Sequence, residues 1–161
     1  MFKLRQSIFF DKKENKNSID FDDFDSKYDH IIIRCKKTSK VVATYRLNHS
    51  KKGFKFYSQT QFSIRSFLNT PGVKLEIGRV CIAPTHRNGL VLNLIWKSLG
   101  IYAKSIRADY LFGCTSISSI DQSEMHHFYH YLNLKNLNTN HYNIRPKQKL
   151  KYKKTTKQLI I

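Results

Sequence analysis

The sequence predicts an α/β domain, and three observations carry that expectation. The stretch from Val73 to Ile117 runs strand, glycine turn, helix, strand: VKLEIGRVCIAP, THRNG, LVLNLIWKSLGIYAKSIRAD, YLFGCTSI. Upstream, HIIIR from His30 to Arg34 and VVATYRL from Val41 to Leu47 are β-branched runs joined by CKKTSK, the pattern of an antiparallel hairpin. The chain has 161 residues, 40% hydrophobic and 13% aromatic, which suits one domain with a substantial core and excludes disorder throughout.

Residues 2–10 read as a short helix with Leu4, Ile8 and Phe9 on one face. Residues 11–29 hold seven of the eleven acids, and their repeated Asp-Phe pairs predict a solvated loop that packs Phe21 and Phe24 while presenting Asp22 and Asp25. After the hairpin, Gly53 to Phe56 is a candidate edge strand and SQTQFSIRSFLNT a candidate short helix. Pro71-Gly72 then marks a turn. In the helix after Gly89, Val91, Leu94, Ile95, Leu99 and Tyr102 follow the 3.6-residue period, so this face should pack on the sheet. Residues 110–117 read as a strand, and Asp121 followed by Glu124 opens a helix running to about Asn133. That helix carries His126 and His130 one turn apart, a spacing two imidazoles can use for a metal. Without a third ligand or an HExxH pattern, no metal site is expected.

Between Asp29 and Asp109 the chain has a single carboxylate, Glu76, against fifteen Lys and Arg residues. It sits in an apolar strand, where an unpartnered charge is costly. Arg79 would point to the opposite face of a regular strand, but a bulge at Gly78 would bring both side chains to one side. Two readings are open at this point: an acid/base or amine-orienting site, and a structural Glu–Arg pair at the sheet rim. The turn His86-Arg87-Asn88-Gly89 aims backbone N–H groups and a helix N-terminus at one place, an arrangement that suits phosphate, although it matches neither a Walker loop nor GxGxxG.

The net charge of +18 calls for an anionic partner: nucleic acid, an anionic membrane face, or an acidic carrier protein. Cys35, Cys81 and Cys114 are widely spaced and form no CxxC pair, which argues against a disulfide framework or zinc ribbon and fits a reducing cytosolic setting. The N-terminal apolar segment is too short for a signal peptide, and no apolar run approaches the ~18–20 residues that cross a bilayer. From Arg145 the sequence is strongly basic, with Tyr152 its only aromatic residue. That suits anionic lipid headgroups better than stacking on single-stranded nucleic acid.

The order of motifs resembles the GNAT-fold N-acyltransferases that make ornithine lipids, a family often described as hemolysin-like and related to the acyl-homoserine-lactone synthases. The resemblance lies in Leu4-Arg5 with Phe9, the DDFD ending in Asp25, and His30 opening a strand. It continues through Thr44-Tyr45-Arg46-Leu47, Phe56-Tyr57-Ser58 with Phe62, and Leu75-Glu76-Ile77-Gly78-Arg79, then Pro84, Arg87 to Gly89, Trp96, Tyr102 and Leu111 to Ser116. HYNIRP at 141–146 is a looser match. The resemblance implies a mixed central sheet flanked by helices over 1–140, followed by a basic tail over 141–161. Family members usually continue further, so the expected sheet lacks its last C-terminal strands and has an open edge beside the site.

The resemblance also implies the chemistry. The domain would use no bound cofactor, and its donor would be acyl-phosphopantetheine on acyl carrier protein, or acyl-CoA. Backbone groups of Val80, Cys81 and Ile82 would hold the pantetheine arm, with the phosphate at Arg87, Asn88 and Gly89 and with Ser116 across the cleft. Glu76 would act as base and Arg79 beside it, while Asp22, Asp25 and Arg46 shape the acceptor site for an amine such as ornithine. The expected setting is cytoplasmic, with peripheral contact on the anionic inner membrane. The rival readings are an inactive, truncated acyltransferase fold that only binds carrier protein or membrane, and a basic nucleic-acid-binding module. The latter lacks any helix-turn-helix, zinc-finger or RNP motif.

Overall fold

In the computed structural model, residues 1–10, 19–116, 121–135, 137 and 141–148 are described. A four-stranded mixed sheet forms the centre, in the order β1 (Asp29–Arg34), β2 (Val41–His49), β4 (Lys74–Ile82), β5 (Tyr110–Phe112). The first two neighbouring pairs are antiparallel and β4–β5 is parallel. The predicted hairpin is thus β1–β2. Helix α4 (Leu90–Ser105) is the crossover that a parallel β4–β5 pair requires.

The core lies between the sheet and α4. Ala43, Tyr45 and Leu47 alternate along β2 and pack with Leu75 of β4 and with Val91, Ile95 and Leu99 of α4. Of the predicted stripe, Leu94 is the exception: at 42% exposure it lies outside the contact. The reason is angular, since Val91, Ile95 and Leu99 already fill the sheet-facing arc and Leu94 falls a quarter-turn or more from its centre. The intervening β2 residues Thr44, Arg46 and Asn48 are buried too, because α1 (Phe2–Phe9) and the loop 19–28 cover the second face of the sheet.

Three expectations are corrected. Gly53–Phe56 is not a strand; Phe56 instead packs its ring on Phe112. The helix expected after it is two single turns, α2 (Ser58–Gln61) and α3 (Arg65–Leu68), separated by β3 (Phe62–Ser63). β3 pairs with β6 (Arg145–Pro146), so the 141–148 stretch starts docked against 58–68, with Tyr142 edge-to-face on Phe67. The strand expected over 110–117 ends at Phe112. Residue 117, the first part of the acidic loop and the basic stretch 149–161 lie outside the described residues.

Helix α5 (Gln122–Leu134) begins as predicted, with the Asp121 carboxylate accepting the Glu124 N–H at 3.0 Å. Among the described residues, no helix is long and apolar enough to cross a membrane.

Candidate functional site

The site is built on β4. Between the pairs Arg46↔Gly78 and Thr44↔Cys81, two β4 residues, Arg79 and Val80, oppose the single Tyr45. This is a β-bulge, placed one residue later than the sequence suggested. Arg79 carries it in a left-handed conformation (φ 48°), costly for a residue with a Cβ. The consequence is the predicted one: Arg79 turns onto the face that holds Glu76, and both meet Tyr57. The Tyr57 N–H donates to Glu76 Oε2 at 2.8 Å, and the Arg79 guanidinium lies 5.8 Å from the Tyr57 ring centroid.

Glu76 is 4% exposed. Its Oε1 accepts the Ser58 N–H at 2.6 Å, and the Tyr28 hydroxyl lies 3.2 Å from Oε2. That hydroxyl also sits 2.7 Å from the Lys55 carbonyl oxygen, and a phenol has one proton to give. That proton is shared between the Lys55 carbonyl and Oε2, so Oε2 faces two donors, the Tyr57 N–H and the Tyr28 hydroxyl, and Oε1 faces one. Burial, followed by the charge and hydrogen bond of Glu76, pushes the Tyr28 hydroxyl well above the ordinary phenol range. No Glu76–Arg79 ion pair occurs among the described residues; the acids within reach of Arg79 are Asp20 at 3.8 Å and Asp22 at 3.6 Å. Among the described residues the Arg79 Nε–H, 3.8 Å from the Asp20 carboxylate, is buried without a hydrogen-bond partner.

Over residues 19–29 the acidic loop is corrected in part: Asp25, expected at the surface, is buried with Asp20, and Phe21, expected to pack, is exposed, whereas Phe24 packs against Tyr28 and Tyr57 and Asp22 stays partly exposed. Arg5, fully buried in α1, is the reason the two aspartates are buried. It donates to Asp20 at 2.8 Å and to both oxygens of Asp25 at 2.5 and 3.1 Å. The face of α1 that anchors the helix is therefore set by Arg5, and the apolar residues only flank it. Arg46, 3% exposed, donates to Asp22 at 2.6 Å and to Asp25 at 3.1 Å, and its guanidinium lies over Phe24, Tyr28 and Tyr57. Burial pushes the Asp25 carboxyl up, but the hydrogen bonds from Arg5 and the Asp22 N–H, with the charges of Arg46 and Arg5, outweigh it. They hold the carboxyl below the usual range.

Beside this cluster the sheet opens. β4 and β5 pair only at Lys74↔Tyr110, Leu75↔Leu111 and Glu76↔Phe112. From Ile77 onward β4 has, among the described residues, a strand neighbour on the β2 side alone, so backbone groups of the Val80–Ile82 segment lack a strand partner there on the other side. At the fork Gly113 runs so close to Ile77 that a Cβ would overlap its carbonyl oxygen. Val80 is 42% exposed; Cys81 is buried, and burial pushes its thiol up to about 11, which removes it as a nucleophile near neutral pH. Beyond β4 the chain makes a 3-10 turn at Pro84–His86, and Arg87 and Asn88 are exposed, with the Arg87 Nε–H on the Ile82 carbonyl at 3.2 Å. Gly89, at φ 81°, precedes α4, and no side chain caps the helix. The first-turn N–H groups are therefore open to an anion.

The structure thus brings Glu76, Arg79, Arg46, Asp22 and Asp25 into one cluster, and the chain runs on from it through Val80 to Gly89. Ser116 is exposed, four residues past the last β5 pair, with no described contact to the cluster. Sequence reasoning missed Asp20, Tyr28, Tyr57 and the central place of Arg5. Arg5 stood in the matched Leu4-Arg5 motif, but with Lys3 two residues before it nothing in the helix's composition singled it out.

The site is thus an α/β sheet forked beside a helix N-terminus, with a bulge on the strand between. The match to the acetyltransferase (GNAT) domain model spans residues 4–97, more than half of the chain, and the chain belongs to that family. It is similar to the L-ornithine N(alpha)-acyltransferase of Rhodobacter capsulatus, 27% identical over 134 residues that cover 74% of this chain and 52% of that protein. It is also similar to that of Brucella abortus, 29% identical over 130 residues, 70% of this chain and 46% of the relative. The chain spans about half the length of the curated relatives it matches. Among solved structures, glucosamine-6-phosphate N-acetyltransferase from Arabidopsis thaliana superposes with a TM-score of 0.41 at 14% identity, over 81% of this chain and 68% of that one.

Proposed function

We propose that this domain transfers a long-chain acyl group from the phosphopantetheine thioester of an acyl carrier protein to the amine of an amino acid such as ornithine, in lipid biosynthesis. One observation carries the reading. Among the described residues, a buried carboxylate and a guanidinium with an unpartnered N–H meet the same tyrosine where β4 loses its second strand partner. The names of the relatives support ornithine as acceptor.

The acceptor's carboxylate would pair with Arg79, whose Nε–H has no other hydrogen-bond partner among the described residues. Its amine would then lie toward the Glu76 carboxylate. An amine near neutral pH is mostly protonated, so Glu76 takes one proton and frees the lone pair. The nitrogen attacks the thioester carbonyl carbon, and the oxyanion is stabilised by a backbone N–H of the bulged strand. On collapse the C–S bond breaks, and the nitrogen's second proton leaves with the pantetheine sulfur as a thiol. The products are an amide, a free thiol and the proton held by Glu76. The thioester is already activated, so no covalent acyl-enzyme is needed.

The pantetheine amides would pair with backbone groups of Val80, Cys81 and Ile82, and the phosphate would sit at Arg87, Asn88 and Gly89. Ser116 completes the donor side only if the segment after β5 folds back on binding. Asp22, with 29% of its side chain exposed, would read a distal ammonium, whereas Asp25 would act through Arg5 and Arg46. Acyl carrier proteins are strongly acidic. Residues 30–108 offer them a surface whose exposed charges are all Lys or Arg, a match that favours carrier protein over CoA. The same charge supports peripheral contact with an anionic membrane from the cytoplasmic side.

The test is free-thiol release from long-chain acyl carrier protein in the presence of single amines. Release that depends on ornithine is expected. Release from acyl-CoA alone would replace the donor, and no release from a folded protein with any pair would leave a binding role in place of catalysis.

A further inference from the structure

We propose that the outer face of α4 is a docking surface for an anionic lipid bilayer. The helix has two apolar faces. One is spent on the core through Val91, Ile95 and Leu99. On the other, Leu90, Leu94 and Ile101, at 63%, 42% and 63% exposure, share one stripe by helical spacing. Lys97 and Lys104 fall between that stripe and Trp96, itself 50% exposed. The helix contains no acid, and the single acid of residues 30–108, Glu76, is buried on the far side of the sheet from α4.

Scattered exposed apolar residues are ordinary, but this arrangement is not scattered. Protruding aliphatic side chains in line, ammonium groups along one flank and, beyond them, an indole that also touches Tyr45 are the parts of a helix lying in a bilayer surface. Apolar groups enter the acyl boundary there, and lysines reach the phosphates. An acidic protein could satisfy the lysines, but it would need a matching apolar groove for the stripe. A bilayer supplies both at once.

The inference deepens the membrane contact proposed above, yet it stands on different residues from the acyl-transfer reading. Leu90 follows the Gly89 turn, so a docked α4 would set the donor-binding turn at the edge of the membrane that receives an acylated product. Thiol release in solution tests the chemistry without lipid, so failure of either reading leaves the other standing.

Trp96 is the only tryptophan of the chain, which makes the test direct. Its emission is followed in the full-length protein against vesicles of phosphatidylglycerol and of phosphatidylcholine, with and without brominated acyl chains. A blue shift and bromine quenching with phosphatidylglycerol are expected, weakened by salt and much smaller with phosphatidylcholine. Leu94→Gln with Ile101→Gln, both at exposed positions, should lower partitioning roughly tenfold or more. Lys97→Gln with Lys104→Gln should reduce the preference for the anionic lipid. Vesicle binding without any change at Trp96 would assign it to another basic segment and overturn the proposal. A Trp96 shift on adding acidic acyl carrier protein but not vesicles would give the face to a protein, and one caused by self-association without lipid would give it to a second copy of the chain.

Discussion

Arg5→Met separates a structural role for the acidic loop from the solvated one its composition suggests. The wild-type guanidinium is fully buried and makes three hydrogen bonds, one to Asp20 and two to Asp25. Methionine keeps the aliphatic stem and removes the charge. Asp25 then retains Arg46 at 3.1 Å, but the nearest cation left to Asp20 is Arg79 at 3.8 Å, so among the described residues one carboxylate stays buried without a hydrogen-bonding partner. Breaking one side of a buried pair costs about 3–5 kcal/mol. In a domain of this size that is about 6–20 °C in Tm. Denaturant unfolding followed by circular dichroism, with thermal scans alongside, would measure it. Asp20→Asn added to Arg5→Met should recover part of the loss, because the two changes share one interaction. A shift below about 1 kcal/mol for Arg5→Met, or strict additivity in the double variant, would refute the reasoning.

Three further predictions follow from the same geometry. The Asp25 carboxyl is held below its ordinary range, so its contribution is fully present above the unfolded value near ~4 and is lost as pH falls through the folded value. Urea midpoints should therefore drop below about pH 4, with a shallower drop in Asp25→Asn; parallel profiles would contradict this. Gly113→Ala must push β5 away from the Ile77 carbonyl and should cost roughly 1–3 kcal/mol, measurable by urea denaturation, whereas an unchanged midpoint would mean the fork is not this tight. Arg79→Lys should raise KM for an amino-acid acceptor by roughly tenfold to a hundredfold, while sparing a diamine that lacks the carboxylate. Equal losses on both acceptors would remove Arg79 from carboxylate binding.

What was legible in the sequence followed local rules. β-branched runs gave the hairpin, helical period and a preceding glycine gave α4, and a carboxylate alone in an apolar strand pointed to Glu76. The bulge was inferred because Glu76 and Arg79 could share a face only with an extra residue between them. What was not legible depends on contacts distant in sequence. Asp20 and Asp25 read as solvent-facing until Arg5, fifteen and twenty residues away, is folded onto them. β5 reads on through Cys114 because its composition stays strand-like, but pairing ends where Gly113 slips beneath Ile77. Phe56 sits in a strand-like run, yet it serves the ring cluster with Phe112 and Phe67. Tyr28 carried no signal of its own and Tyr57 stood only in a matched motif with no role attached; their place beside Glu76 comes from tertiary packing.

The most direct measurement is ornithine-dependent thiol release by wild type and Glu76→Gln, side by side, from neutral pH to about pH 10. Circular dichroism would confirm that the variant keeps its fold, since glutamine cannot accept both the Tyr57 and Ser58 N–H groups as the carboxylate does. A base at Glu76 predicts a loss of about 10²–10⁴ in kcat near neutrality, recovered in part at high pH as free amine becomes abundant. Wild-type rates in a folded Glu76→Gln protein would contradict it, as would a loss that high pH leaves unchanged.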